Sequence, residues 1–194
     1  MRADAARNAE RIVRAGWLAF AELGAEVSLE EIARRAGVGV ATLYRRFPNK
    51  EELIKAILEL RFAELVLPAI ERAEADDDPW RGMVSVLEAA LSMAGNETCV
   101  LKAAPDIGLV AGELATLLFA SLAGLMGKAQ SAGLVRADLE PDDLPRLVLM
   151  LISTTHLSDR SHEDWRRYLA LILDAFRPIA ASPLPPASPL TGFP

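Results

Sequence analysis

VSLEEIARRAGVGVATLYRRFPNK, residues 27–50, packs two helix starts, one steep turn and a cluster of basic side chains into twenty-four positions. Ser28-Leu-Glu-Glu31 has the form of a capping box, in which hydroxyl and carboxylate each satisfy an orphan backbone amide. The helix it opens should stop at Gly37. A short third helix is predicted over 40–47, because Pro48 disfavours helical geometry in the residue before it. Ala36-Gly37-Val38-Gly39 between them has the length and glycine content of a helix-turn-helix. Ala33 is small enough for close approach, and Ile32, Val38, Leu43 and Phe47 are spaced to pin the pair onto a first helix.

That leaves Val40, Ala41, Thr42, Tyr44, Arg45 and Arg46 facing outward. Small groups let a helix approach base edges in a major groove, Thr42 can donate or accept, and an arginine can pair bidentately with guanine. Tyr44 and Lys50 suit phosphates. Lys50 opens a further helix whose free amides attract an anion, and Ser28 holds the equivalent place on the second helix. The plain alternative is a solvated basic face, and it weighs more for Arg34 and Arg35 and for Arg7, Arg11 and Arg14.

Working outward, positions 5–23 read as a first helix with Ile12, Val13, Leu18, Phe20 and Leu23 as its apolar stripe and Gly24 as its stop. Asn49 caps a fourth helix expected to run to about 75 with a kink at Pro68. An aspartate cap and Pro79 start the next, to about 94. Residues 99–104 are ambiguous. Helices follow at about 111–132, 141–156 and from Ser161 to just before Pro178. The sum is an all-α chain of about nine helices.

Composition agrees: 194 residues, 52% hydrophobic, 25% charged and 6% aromatic. The net charge of −6 is uneven, with residues 1–50 at +3 and the remainder at −9. A basic head on an acidic body marks a localised anion-binding surface rather than a coat for nucleic acid. The single cysteine, Cys99, excludes an intrachain disulfide. Nothing near the amino terminus reads as a signal peptide, no apolar run suits a bilayer, and the expected compartment is a reducing cytoplasm. From Pro178 onward the chain carries six of its twelve prolines and almost no charge, so residues 179–194 read as a disordered tail.

VSLEEIARRAGVGVATLYRRFPNKEELIKAI, residues 27–57, resembles the amino-terminal DNA-binding domain of the TetR/AcrR family of transcriptional regulators. Thr42, Leu43, Tyr44, Phe47, Asn49 and Lys50 reproduce that family's recognition-helix pattern. Arg46 stands where many members carry His or Tyr, which leaves base preference open. The resemblance implies residues 1–50 as the DNA-binding domain and 51–178 as an effector-binding and dimerisation domain. It also implies a homodimer through the last two helices on a palindromic double-stranded DNA operator, and repression relieved by an unknown small-molecule effector. WRRYLALILDAF, residues 165–176, resembles the closing helix of SbtR-like carboxy-terminal domains.

Met83, Leu87, Leu91, Leu118, Phe119, Leu122 and Met126 recur at helical spacing and are either core or the lining of an effector pocket. His156, Asp159, His162 and Glu163 cross a predicted turn without a matching ligand pair, so no metal is expected. No cofactor motif, phosphate loop or nucleophile elbow is present, and an enzyme is not expected. Two rivals keep the fold: an activator, and a small-molecule-binding protein without operator binding.

Overall fold

The structure, a computed structural model, describes residues 2–103, 112–155, 165–179 and 181–186. Among them the chain forms ten helical elements and no strand. These are α1 (Arg2–Leu23), α2 (Leu29–Ala36), α3 (Val40–Arg46), α4 (Lys50–Leu65), α5 (Leu67–Glu74), α6 (Pro79–Asn96), α7 (Thr98–Lys102), α8 (Glu113–Ser131), α9 (Asp143–Thr155) and α10 (Trp165–Ala175). The all-α expectation holds. The tenth element arises because Pro68 breaks the fourth helix rather than kinking it: Val66 ends one ladder and its carbonyl accepts from Ala69 and Ile70 to begin the next. Proline lacks the amide the ladder would need and is tolerated only in a first turn.

The chain divides into two compact units, Met1–Arg61 with Asn96–Gly108, and Phe62–Gly95 with Leu109–Pro194. The first compact unit runs past the turn at Asn49 and along α4 to Arg61. Leu53, Ile54, Ile57 and Leu58 of α4 are buried, and Leu53 and Ile57 close on Gly16 of α1, whose missing side chain makes room for them.

The buried stripe of α1 is Ile12, Val13, Gly16, Ala19 and Phe20, at a cleaner helical period than the one expected from sequence. Leu18 and Leu23 instead lie outside it, 47% and 52% exposed. Hydrophobicity alone pulled them into the predicted stripe, while the glycine and alanine that face the core were overlooked. Sequence also gave no sign of the first unit's one buried charge among the described residues. Glu97, 1% exposed, accepts from Nε of Arg61 at 2.8 Å, and that guanidinium stacks over Trp17 at 4.3 Å from the ring centroid.

In the second unit, α6 and α8 make the largest contributions to the core, including Met83, Val86, Leu87, Leu91, Leu122, Leu125 and Met126. Asp78 caps α6, its Oδ1 accepting from the amides of Trp80 at 3.0 Å and Arg81 at 3.1 Å. The guanidinium of Arg177 lies 3.6 Å from the centroid of Trp80, tying the chain after α10 to the start of α6. The tail begins differently from expectation. The Arg136 guanidinium donates to the Ser182 carbonyl, and the Leu184 amide donates to Oδ2 of Asp138 at 2.9 Å. Residues 182–184 are thus held by a paired arginine and aspartate, whereas 187–194 lie outside the described residues.

Candidate nucleic-acid interface

The helix-turn-helix is assembled by three local devices. Ser28 is exposed and its Oγ accepts the Glu31 amide at 3.2 Å, giving α2 its cap. Gly37 ends α2 with φ +63°, a left-handed backbone that costs glycine nothing, and its amide returns to the Ala33 and Arg34 carbonyls. Asn49 starts α4 by accepting the Glu52 amide at 2.8 Å. Arg11 of α1 reaches the Gly37 carbonyl at 3.2 Å, so one of the amino-terminal arginines is spent on fixing the turn.

Within α3, Leu43 and the following Phe47 are buried, while Val40, Ala41, Tyr44, Arg45 and Arg46 are exposed and Thr42 is half-buried. The outward set expected from sequence is therefore brought together on one short helix. Small residues lead at its amino end, and the arginines occupy its last turn, where a cation suits the dipole.

The basic side chains separate into two kinds. Arg34 pairs with Glu31 at 2.6 and 2.8 Å, and Arg35 pairs with Glu31 at 2.9 Å and Glu22 at 2.5 Å. Those guanidiniums hold the Glu31 carboxyl down to about 2. The capping box is accordingly half realised: Ser28 caps, but the Glu31 carboxylate prefers two full charges to a backbone amide. Arg45 and Arg46 make no ion pair among the described residues, and Arg46 rests over the Phe47 ring at 5.6 Å. They are the cations of this surface left available to an external anion.

Lys50, expected at a phosphate, also has partners within the protein. It is half-buried; its ammonium donates to the Ala25 carbonyl at 2.6 Å and lies 5.4 Å from the Phe20 ring centroid. The stem is drawn inward over the aromatic ring, leaving the other two donors of the ammonium for any outside acceptor. Tyr44 is 41% exposed, and its hydroxyl donates to Oε1 of Glu30 at 2.8 Å, a partner sequence reasoning missed. Glu30 lies fourteen residues away with no helical spacing to signal it.

Of the pocket candidates, Met83, Leu87, Leu91, Leu118, Leu122 and Met126 are buried in the second unit and Phe119 is half-buried. His156, Asp159, His162 and Glu163 lie outside the described residues. Cys99 is half-buried in α7. No helix among the described residues is long and apolar enough to cross a membrane.

A capped three-helix head with a short, outward, basic third helix defines a helix-turn-helix DNA-binding regulator of transcription. Residues 12–57 match the family model for bacterial regulatory proteins of the tetR family. Over 91% of its length the chain superposes on 98% of the TetR transcription regulatory protein from Mycobacterium vanbaalenii, with 30% identity and a TM-score of 0.60. It is 27% identical over 159 residues to an uncharacterized HTH-type transcriptional regulator, Rv2250c, of Mycobacterium tuberculosis, covering 78% of this chain and 82% of that protein. It shares the fold, at 18% identity and a TM-score of 0.60, with AibR solved in complex with isovaleryl coenzyme A and operator DNA, covering 88% of this chain and 98% of AibR. The chain belongs to the TetR family of transcriptional regulators.

Proposed function

We propose that the protein is a homodimeric, effector-responsive repressor that reads a palindromic operator with α3 of each protomer. The observation that carries this reading is the exposed face of α3, where Val40, Ala41 and Tyr44 accompany two arginines without ion pairs among the described residues. Arg45 and Arg46 supply charge for phosphate or guanine, the small residues supply clearance, and Ser28, Thr42, Tyr44 and Lys50 supply polar anchors. Dimerisation would use α9 and α10, which pack on each other and leave Leu149, Met150, Tyr168 and Leu171 exposed. An apolar face of that kind is characteristic of an interaction surface.

The division of labour is a DNA-binding segment over residues 1–50 and effector binding and dimerisation over 51–178. The effector would be small and partly hydrophobic, held among Met83, Leu87, Leu91, Leu118, Phe119, Leu122 and Met126. A regulator of this fold has been solved in complex with isovaleryl coenzyme A and operator DNA, so the fold accommodates both a ligand and an operator. The effector relieves repression only by binding better to the form that cannot hold DNA, since equal affinity for both forms shifts nothing. The protein acts without turnover, in the compartment that holds the chromosome.

The test is a gel shift with DNA from immediately upstream of the protein's own gene, and with fragments selected from genomic DNA. Retention should fall steeply with salt as phosphate contacts release counterions. Deletion of the gene should raise expression of the bound target. A protein that selects no DNA above background overturns the reading.

A further inference from the structure

Two acidic residues open α2, and they have different fates. Glu31 is taken up by Arg34 and Arg35, whereas Glu30 has no ion pair among the described residues and instead holds the Tyr44 hydroxyl. Its Oε1 accepts the Tyr44 proton at 2.8 Å. Its own backbone amide first and Tyr44 next hold the Glu30 carboxyl below its ordinary range. The same hydrogen bond holds the Tyr44 phenol above its ordinary value. Tyr44 is one of the groups a DNA phosphate would be expected to use. A phenol has one proton, so Tyr44 cannot donate to Glu30 and to a phosphate together.

We propose that Glu30 is an intramolecular competitor for the DNA backbone: its carboxylate occupies the Tyr44 hydroxyl in the free protein and is displaced by a phosphate. This rests on the proposed DNA contact of Tyr44. Two costs follow for every binding event. The hydrogen bond to Glu30 is exchanged rather than gained, and a carboxylate is left beside a phosphate, a repulsion that salt screens. Glu30 thereby tunes the affinity of the reading head without touching a base, and makes Tyr44 conditional rather than constitutive.

The experiment is a double-mutant cycle on full-length protein with a DNA fragment selected by the wild type. Glu30→Ala should tighten binding by roughly threefold to fivefold, as an exposed hydrogen-bonded contact of this kind is worth up to about a factor of five. In a Tyr44→Phe background the gain should shrink, and with Tyr44 present part of the gain should persist at high salt, where mere charge removal is screened. An equal gain in both backgrounds, or no gain, overturns the proposal. A DNA-free arm uses the presence of only two tyrosines. In Tyr168→Phe protein the phenolate absorbance reports Tyr44 alone, and Glu30→Ala should lower its midpoint. An unchanged midpoint overturns the contact itself. If the wild type selects no DNA, it is the proposed function that fails, and the phenol titration still decides whether Glu30 holds Tyr44.

Discussion

Glu97 is a carboxylate with 1% exposure, and its Nε–H partner Arg61 is itself mostly covered, stacked on Trp17. Desolvating both charges makes such a pair weak evidence of net stability, but removing one charge leaves the other buried with less compensation. Glu97→Gln should therefore cost about 3–5 kcal/mol in urea-induced unfolding, and replacing both members with apolar residues should cost much less. Equal losses from the single and double changes would argue against the pairing. A second residue-level expectation concerns acid. The folded-state Glu31 carboxyl is depressed to about 2 from an ordinary 4.5, its bond to Arg34 contributing most. A depressed carboxyl contributes stability above its unfolded value and loses it as pH falls toward the folded one. The melting temperature should thus drop between pH 4.5 and 2, and Glu31→Gln should flatten that limb in a calorimetric pH series. Sequence could name Ser28 and Glu31 as a cap because their partners lie three residues apart. It could not find Glu97, whose arginine lies 36 positions away, or the partnership of Tyr44 with Glu30 across the turn.

Helices in this chain approach closely at glycines of two sorts. A β-carbon added at Gly82 of α6 would lie 3.1 Å from the Ala73 carbonyl oxygen, 3.2 Å from the Ala73 side chain and 3.3 Å from a Leu125 methyl. Backbone and alanine cannot swing aside. One added at Gly16 of α1 would meet only the ends of Ile57 and Leu53, at 3.2 and 3.3 Å, which can rotate. Alanine gains about 1 kcal/mol of helix propensity over glycine, while overpacking a fixed contact costs about 1–3 kcal/mol. Gly82→Ala should therefore destabilise by up to about 2 kcal/mol net, and Gly16→Ala should be near neutral. Thermal unfolding of both variants checks this; a reversed order would mean that the α5–α6 contact yields. Element boundaries were legible where chemistry is local: Ser28, Gly37, Pro48, Asn49 and Asp78 each stop or start a helix as their side chains dictate. The break at Val66 was less so, since proline two residues later reads equally as a kink. Leu18 and Leu23 misled because apolar character says nothing of whether a neighbour exists to cover it.

For the molecule as a whole, the helix-turn-helix was legible because its residues are contiguous and its devices are turn chemistry, while the proposed effector pocket was not, because core and pocket draw on the same apolar side chains. The proposed dimer interface is intermediate: a helix that pairs with a second copy keeps apolar groups where its own chain offers no cover. Met150 and Leu171 are 62% and 58% exposed, and Leu149 and Tyr168 accompany them on α9 and α10. An aspartate at each of Met150 and Leu171 would have to be desolvated without a partner on association, at a cost of several kcal/mol by analogy with any unpaired buried charge. In the isolated protomer both positions meet water, so folding should be spared. Met150→Asp with Leu171→Asp should therefore sediment as a monomer with an unchanged helical circular dichroism spectrum. Two reading heads on one operator act at an effective concentration set by their tether, so separating them should weaken operator binding by roughly 100-fold or more. Binding to a single half-site should change little. A double variant that still sediments as a dimer would move the interface away from α9 and α10. A monomer that retains full operator affinity would mean that one protomer reads DNA alone.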